Sequence, residues 1–398
     1  MTNPKDNDEA KGNADQRFEA WTHEGEPVLE DLPPQPRVRA RALPSLDLGH
    51  YPPGAHNAIT DVEGVRVGHA TVSHGDGKLV VGQGPARTGV TAIVPPGNVF
   101  MDRLAASGWV LNGAGEMTGF SQVNEWGLLE TPIVLTNTLA VGTASDAVVQ
   151  WMLKQNPGIG REHDTVLPVV GECDDSWLSD IGGRHVTAEQ VFAALDGASG
   201  GPVPEGTVGA GTGMITFDFA GGIGTSSRVL PRSEGGFTVG VLVQSNFGRV
   251  IDMRMGGHHM GRALDARFRH VPKRGGVAGS IICIVATDAP LTAHQLSRTC
   301  KRAGLGIGRT GSYAGHNSGE IILAFSTANH FPRTSAERVL TIQALSDEHI
   351  DPIFRSTAEC VEEAIYNAMC AANDIVGINK HFAPALPLDQ VRALLSFT

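Results

Sequence analysis

Gly279-Ser280 stands directly before an apolar run, Ile-Ile-Cys-Ile-Val-Ala-Thr, deep inside a chain of 398 residues. A serine hydroxyl is a weak nucleophile near neutral pH and needs a neighbouring base. Cutting the bond before Ser280 would place both functions on one residue, because a free α-amino group titrates at about pH 7.7–8.0. A base carried by the nucleophile's own residue needs no further positioning. Gly279 suits such a cut, since without a side chain its carbonyl bends readily toward the Ser280 hydroxyl. Attack there makes an ester, and hydrolysis of that ester frees the amine. The same dipeptide is also an ordinary turn entering a strand. A second pair, Ser318 and Glu320, is two residues apart. If 317–325 is extended, both side chains project from one face, and Gly319 leaves room on the other. A loop serine followed by a strand-end carboxylate is the plainer reading of that pair.

The elements that must hold these residues are short and mixed. Strand patterns occur at 65–67, 91–94, 133–135, 165–170, 214–219, 237–243, 280–287 and 320–325. Helical spacing is found at 144–155, behind a possible Thr143 cap, and at 187–195, 292–302 and 352–373. No regular βαβ alternation links them, so the expected class is layered α/β. Residues 1–45 are polar, acidic and aperiodic, and are expected to form a flexible arm. Residues 249–279 read as an exposed, Gly-rich linker running up to Ser280.

Composition excludes several functions. The balance of 31 basic and 42 acidic residues gives a net charge of −11, with no basic block, which argues against nucleic-acid binding. No apolar run reaches the length of a membrane span, and the polar N-terminus has no signal-peptide pattern. Five scattered cysteines without a C-x-x-C pair suggest buried, reduced thiols and a cytoplasmic protein. The 50 glycines alternate with apolar strands and so imply tight turns, not disorder.

Familiar motifs fail on context. Gly306-Ile-Gly308-Arg-Thr-Gly311 matches G-x-G-x-x-G, yet it follows a helix and no helix follows it, so no pyrophosphate site is expected. Gly197-Ala-Ser199-Gly-Gly201 matches G-x-S-x-G but lies in a loop after a helix. The adjacent His258 and His259, and His316 with Glu320, make no metal-ligand set. No metal and no organic cofactor is expected.

Five blocks taken together are more informative than any one of them: 169–180, 206–214 with 221–226, 241–248, 279–291 and 315–320. In this order and spacing the chain resembles the L-aminopeptidase/D-alanine-esterase-amidase (DmpA) family, which includes β-peptidyl aminopeptidases, from about residue 57 to 379. The resemblance implies an αββα sandwich like that of N-terminal-nucleophile hydrolases. It implies self-cleavage between Gly279 and Ser280, giving an α part (46–279) and a β part (280–398) of one catalytic domain. Homotetramers of the processed unit are common in the family. By the same resemblance Ser280 is the nucleophile, Ser318 hydrogen-bonds near it, and Glu320 polarises Ser318 and the new amino group. Asn246 matches an oxyanion-binding asparagine and Glu172 a carboxylate that receives the substrate's free ammonium group. Asp174 stands where the family often has a pocket tyrosine, and a second carboxylate there favours cationic N-terminal residues. The implied substrates are short peptides, amides or esters with a free amino terminus. Two other readings fit the same residues: an amidase of non-peptide amides, and an unprocessed binding protein of the same fold.

Overall fold

A computed structural model describes residues 36–268 and 278–396. Most of the expected arm, 1–35, and part of the expected linker, 269–277, lie outside the described residues. Residues 37–45, inside the expected arm, are docked on the body. Arg39 donates to the carbonyls of Asn57 and Thr225 at 2.7 Å, and Arg41 pairs with Glu363 at 2.8 Å.

Two sheets face each other. The smaller has the order β1 (Arg66–His74), β2 (Ala86–Val94), β5 (Ile133–Asn137), β6 (Val169–Cys173). In the larger, β4 (Leu128–Leu129) and β3 (Asp102–Gly113) are followed by β14 (Asn317–Pro332), β13 (Ala278–Thr287), β10 (Thr238–Asn246) and β9 (Gly222–Val229). Short hairpins pair β7 (Ile215–Thr216) with β8 (Phe219–Ala220) and β11 (Arg254–Met255) with β12 (His258–His259). Helices α1 (Val141–Gln155) and α2 (Ala188–Asp196) cover the outer face of the small sheet. Helices α3 (Ala293–Arg309) and α4 (Asp351–Ala371) cover that of the large one. The layers are therefore α, β, β, α, as the family resemblance implied.

The central strands are buried on both faces, which is why β10 and β13 read as nearly continuous apolar runs. Along β13, Ile282 and Ile284 enter the core between the sheets, while Ile281, Cys283 and Val285 enter the core beneath α3 and α4. Helix α3 begins with a reciprocal cap. The Thr292 hydroxyl accepts from Gln295 N–H at 3.3 Å, and the Gln295 side chain accepts from Thr292 N–H at 3.0 Å.

Several elements differ from expectation. Helix α3 runs through Gly306 to Arg309, so the first four residues of the G-x-G-x-x-G stretch are helix and only Thr310 and Gly311 form the turn after it. Gly306 is needed there because a Cβ would sit 2.6 Å from the Ala358 carbonyl and 2.7 Å from Val361 on α4. The expected strand at 214–219 is the β7–β8 hairpin, turned by Phe217 and Asp218 at φ 51° and 65°. Strand β6 starts after Pro168, later than expected, and so includes Glu172. The glycine-rich segment 222–229 is a sheet strand buried beneath α4.

Candidate active site

Three strands of the large sheet meet at one level. Ser280 on β13 is directly opposite Asn246 at the end of β10 and Gly319 near the start of β14; Gly319 is in turn opposite Gly113 of β3. The sequence-predicted residues 246, 280, 318 and 320 are thereby brought together from far-apart segments.

Their faces differ. The β13–β14 register runs without a shift from residue 278 to 287, and residues opposite one another in a ladder share a face. Ser280, Asn246 and Gly319 thus point between the sheets, with Ile282. Ser318 and Glu320 share the helix side with their partners Gly279 and Ile281. The ladder partners of Ser318 and Glu320, residues 279 and 281, flank Ser280 along β13. The segment after β3 crosses directly over Gly319, where a Cβ would lie 2.4 Å from the Ala114 carbonyl. Any larger residue would push that crossing away.

Ser280 is buried, and its hydroxyl has no hydrogen-bond partner. The Ser318 hydroxyl donates to Glu320 Oε1, while Glu320 Oε2 is buried without a partner. Burial raises the Glu320 carboxyl above the usual carboxylate range, and the Ser318 hydroxyl partly opposes this.

The small sheet supplies the other wall. Glu172 is buried on β6, where its carboxylate accepts from the Thr138 hydroxyl and, at 2.9 Å, from the Glu116 N–H. Burial raises its pKa, these two donors lower it, and the nearby Asp174 and Glu116 charges raise it further. Asn246 links the sheets. Its Oδ1 accepts from Ile215 N–H at 2.9 Å and its Nδ2 donates to the Asp174 carbonyl at 2.8 Å. The Asp174 carboxylate is exposed and accepts from Ser176 N–H at 2.8 Å. Gly279 is half-buried at the start of β13.

Sequence reasoning missed Thr138, Glu116 and Asn112. Asn112 binds the carbonyls of Gly315 and Ser318, steadying the loop into β14. The run Asn-Gly-Ala-Gly-Glu at 112–116 is a turn signal that marks the crossing, but nothing in it specifies which strand it crosses. Among the described residues no group of His, Cys, Asp or Glu is arranged to hold a metal ion, and no helix is long and apolar enough to cross a membrane.

Comparisons with known proteins give the family. The profile of peptidase family S58 matches residues 57–383. The β-peptidyl aminopeptidase BapA of Sphingosinicella xenopeptidilytica is 44% identical over 353 residues, covering 86% of this chain and 88% of that protein. A protein from Pyrococcus horikoshii OT3 superposes with a TM-score of 0.85 at 46% identity, covering 89% of this chain and 98% of the other. The L-aminopeptidase D-Ala-esterase/amidase of Ochrobactrum anthropi, described as a variant of the Ntn hydrolase fold, superposes with a TM-score of 0.81 at 39% identity, covering 91% of this chain and 99% of the other. With a buried serine on a central strand and a family match across most of its length, this chain belongs to peptidase family S58 and is a serine aminopeptidase.

Proposed function

We propose that the chain cuts its own Gly279–Ser280 bond and then uses Ser280, as the N-terminus of the β part, to release N-terminal residues from short peptides, amides and esters, β-amino residues among them. The carrying observation is the pair of orphaned buried polar atoms, Ser280 Oγ and Glu320 Oε2, flanking residue 280. A buried carboxylate oxygen without a donor is costly. Cleavage would supply the donor, because the backbone nitrogen lying between the two faces becomes an ammonium or amine.

In this reading the Ser280 hydroxyl first attacks the Gly279 carbonyl, and water hydrolyses the resulting ester. In turnover the Ser280 amine takes the hydroxyl proton as the hydroxyl attacks the substrate carbonyl and returns it to the leaving amine; water then hydrolyses the acyl ester, freeing the residue and restoring the hydroxyl. Glu320, with Ser318, holds that amine in place. Asn246 donates to the oxyanion, the interaction that usually contributes most to acyl transfer. Glu172 receives the substrate ammonium group, which confines cleavage to the first residue, since an internal peptide bond leaves the carboxylate unpaired. Asp174, exposed beside this position, favours a second positive charge on that residue.

Activity on β-amino residues is supported by the identity to BapA, a β-peptidyl aminopeptidase. A homotetramer of processed units, expected from the family resemblance, is checked by light scattering of the cut protein. A cytoplasmic location fits the five cysteines, all buried and none in a disulfide. Intact mass and N-terminal sequencing test the central claim. Two fragments, one beginning at Ser280, are expected from the wild type, and a single whole chain with aminopeptidase activity would refute it.

A further inference from the structure

Among the described residues, four acids with buried side chains face an arginine. Arg228 and Arg41 bind Glu363, Arg228 binds Glu359, Arg333 binds Glu130 and Arg39 binds Glu205. Asp175 does not. It has no exposed surface, and neither of its carboxyl oxygens has a hydrogen-bond partner. A carboxyl group so placed is costly and calls for a reason.

Its position supplies one. Asp175 lies just after β6, three residues beyond Glu172, with its carbonyl accepting from Leu178 and Ser179 N–H at 3.1 and 3.0 Å. The preceding carbonyl, of Asp174, is the one that takes the Asn246 amide at 2.8 Å. The side chain is pressed toward Gly213, where a Cβ would lie 2.8 Å from its own, and the Thr88 hydroxyl of β2 is the polar group beside it. Thr88 Oγ1 accepts from Asn137 Nδ2 at 2.7 Å. Asn137 Oδ1 accepts from Ala140 N–H at 3.0 Å, capping the turn whose first residue, Thr138, donates to Glu172. Two limbs therefore meet at Asp175. One runs through the backbone to Asn246; the other begins at the neighbouring Thr88, with no hydrogen bond to the Asp175 carboxyl, and passes through Asn137 and Thr138 to Glu172.

We propose that Asp175 is a positioning residue of the aminopeptidase reaction, setting the Glu172 carboxylate and the Asn246 amide relative to each other from behind the substrate. This rests on the roles proposed above for Glu172 and Asn246. Asp175 does so as a neutral acid. Burial first, then the negative charges of Asp174 and Glu172, push it up to about 8, with Thr88 acting in the opposite direction. Glu172 receives two hydrogen bonds that favour its charged form and Asp175 has only Thr88 beside it, so of the two carboxyls the proton resides on Asp175. Its ionisation puts a second buried charge beside Glu172 and loosens both limbs.

The test uses the full chain, processed by itself, with kcat and KM measured from pH 6 to 10 on a β-aminoacyl p-nitroanilide. Wild-type kcat/KM is expected to fall above about pH 8, chiefly through KM. Asp175→Asn is expected to move that fall upward by at least about one pH unit and to lower kcat/KM at pH 7 by about tenfold. Thr88→Val retains the acid but removes the hydroxyl that favours its ionised form, so the fall moves upward by less. A merely structural Asp175 would change stability and leave the pH profile in place. The inference is overturned if the Asp175→Asn profile, once scaled, superimposes on that of wild type. Should that variant not fold, an unmoved Thr88→Val profile overturns it instead. Mass spectrometry separates the two levels of failure. A wild type that stays whole refutes the proposed function and this inference with it, whereas a cut Asp175→Asn enzyme with a wild-type profile refutes only the latter.

Discussion

Two groups of buried carboxylates in this molecule are treated in opposite ways. Under α4, Glu363 accepts from Arg41 and Arg228 at 2.8 Å and from Asn57 Nδ2 at 2.6 Å, while Glu359 accepts from Arg228 at 3.2 Å and His50 N–H at 3.0 Å. At the site, Glu172 and Glu320 are held by neutral donors alone: Thr138 and a backbone N–H for one, Ser318 for the other. The first group is charge-compensated within the chain and joins the N-terminal segment, β9 and α4 into one body. The second lacks a cation, and the proposed chemistry brings two: the amine freed at Ser280 and the ammonium group of the substrate. In this reading the arginine-paired carboxylates hold the fold, while Glu172 and Glu320 are left for groups that the chemistry brings.

The sharpest break in this contrast is Ser280→Ala. It should stay a single chain, leaving Glu320 without its amine, and lose activity by on the order of 10⁴-fold or more, read by intact mass and p-nitroanilide turnover. Next is Arg228→Ala, which leaves the buried Glu359 without a cation and Glu363 with Arg41 alone. It should cost about 3–5 kcal/mol of stability by denaturant unfolding, while any protein that still folds keeps its KM. Glu172→Gln should do the reverse, with near-normal stability and kcat/KM for amine substrates lowered by about 10²-fold, mostly in KM. If Glu172→Gln destabilised the protein as Arg228→Ala does, the contrast would collapse.

Smaller effects follow from protonation. Burial holds Glu172 and Glu320 above the usual carboxylate range. Above about pH 4.3 the unfolded chain has released these protons while the folded protein still retains them. Their contribution to stability is complete at lower pH and is lost as pH rises through their folded values. Glu320→Gln should therefore flatten the decline of Tm across that window by about 1–2 °C, measured calorimetrically on the Ser280→Ala background. The smallest expected change is in Asp174→Asn, whose carboxylate is exposed. It should reduce the preference for basic over neutral N-terminal residues by about threefold, and no change in that ratio would remove Asp174 from substrate selection.

Much of the site was legible because its residues sit in local patterns. Gly279-Ser280 before an apolar run, and Ser-Gly-Glu at the head of a strand, each announce a side chain's direction from two-residue periodicity. The Ser318–Glu320 bond is the direct outcome of that spacing. Other features were hidden because no local rule encodes them. The length of α3 was obscured by glycines that serve contact with α4 and do not break the helix. Strand β9 was masked by glycine for a similar reason, and β6 was misplaced because Gly171 and Glu172 interrupt its apolar run. The docking of residues 37–45 depends on Asn57, Thr225 and Glu363, contacts that composition does not reveal.

The amino-acid order by itself determined the serine able to become an N-terminus, the two-residue step that joins Ser318 to Glu320, and the layered α/β class, because each depends on neighbours along the chain. Tertiary structure alone decided that Asn246, Ser280 and Gly319 lie side by side across three strands, that Ser280 and Glu320 point to opposite faces of the same sheet, and that Glu172 is held by Thr138 and the Glu116 N–H. Those relations are set by strand register and sheet stacking, which arise from burying apolar faces against partners distant in sequence.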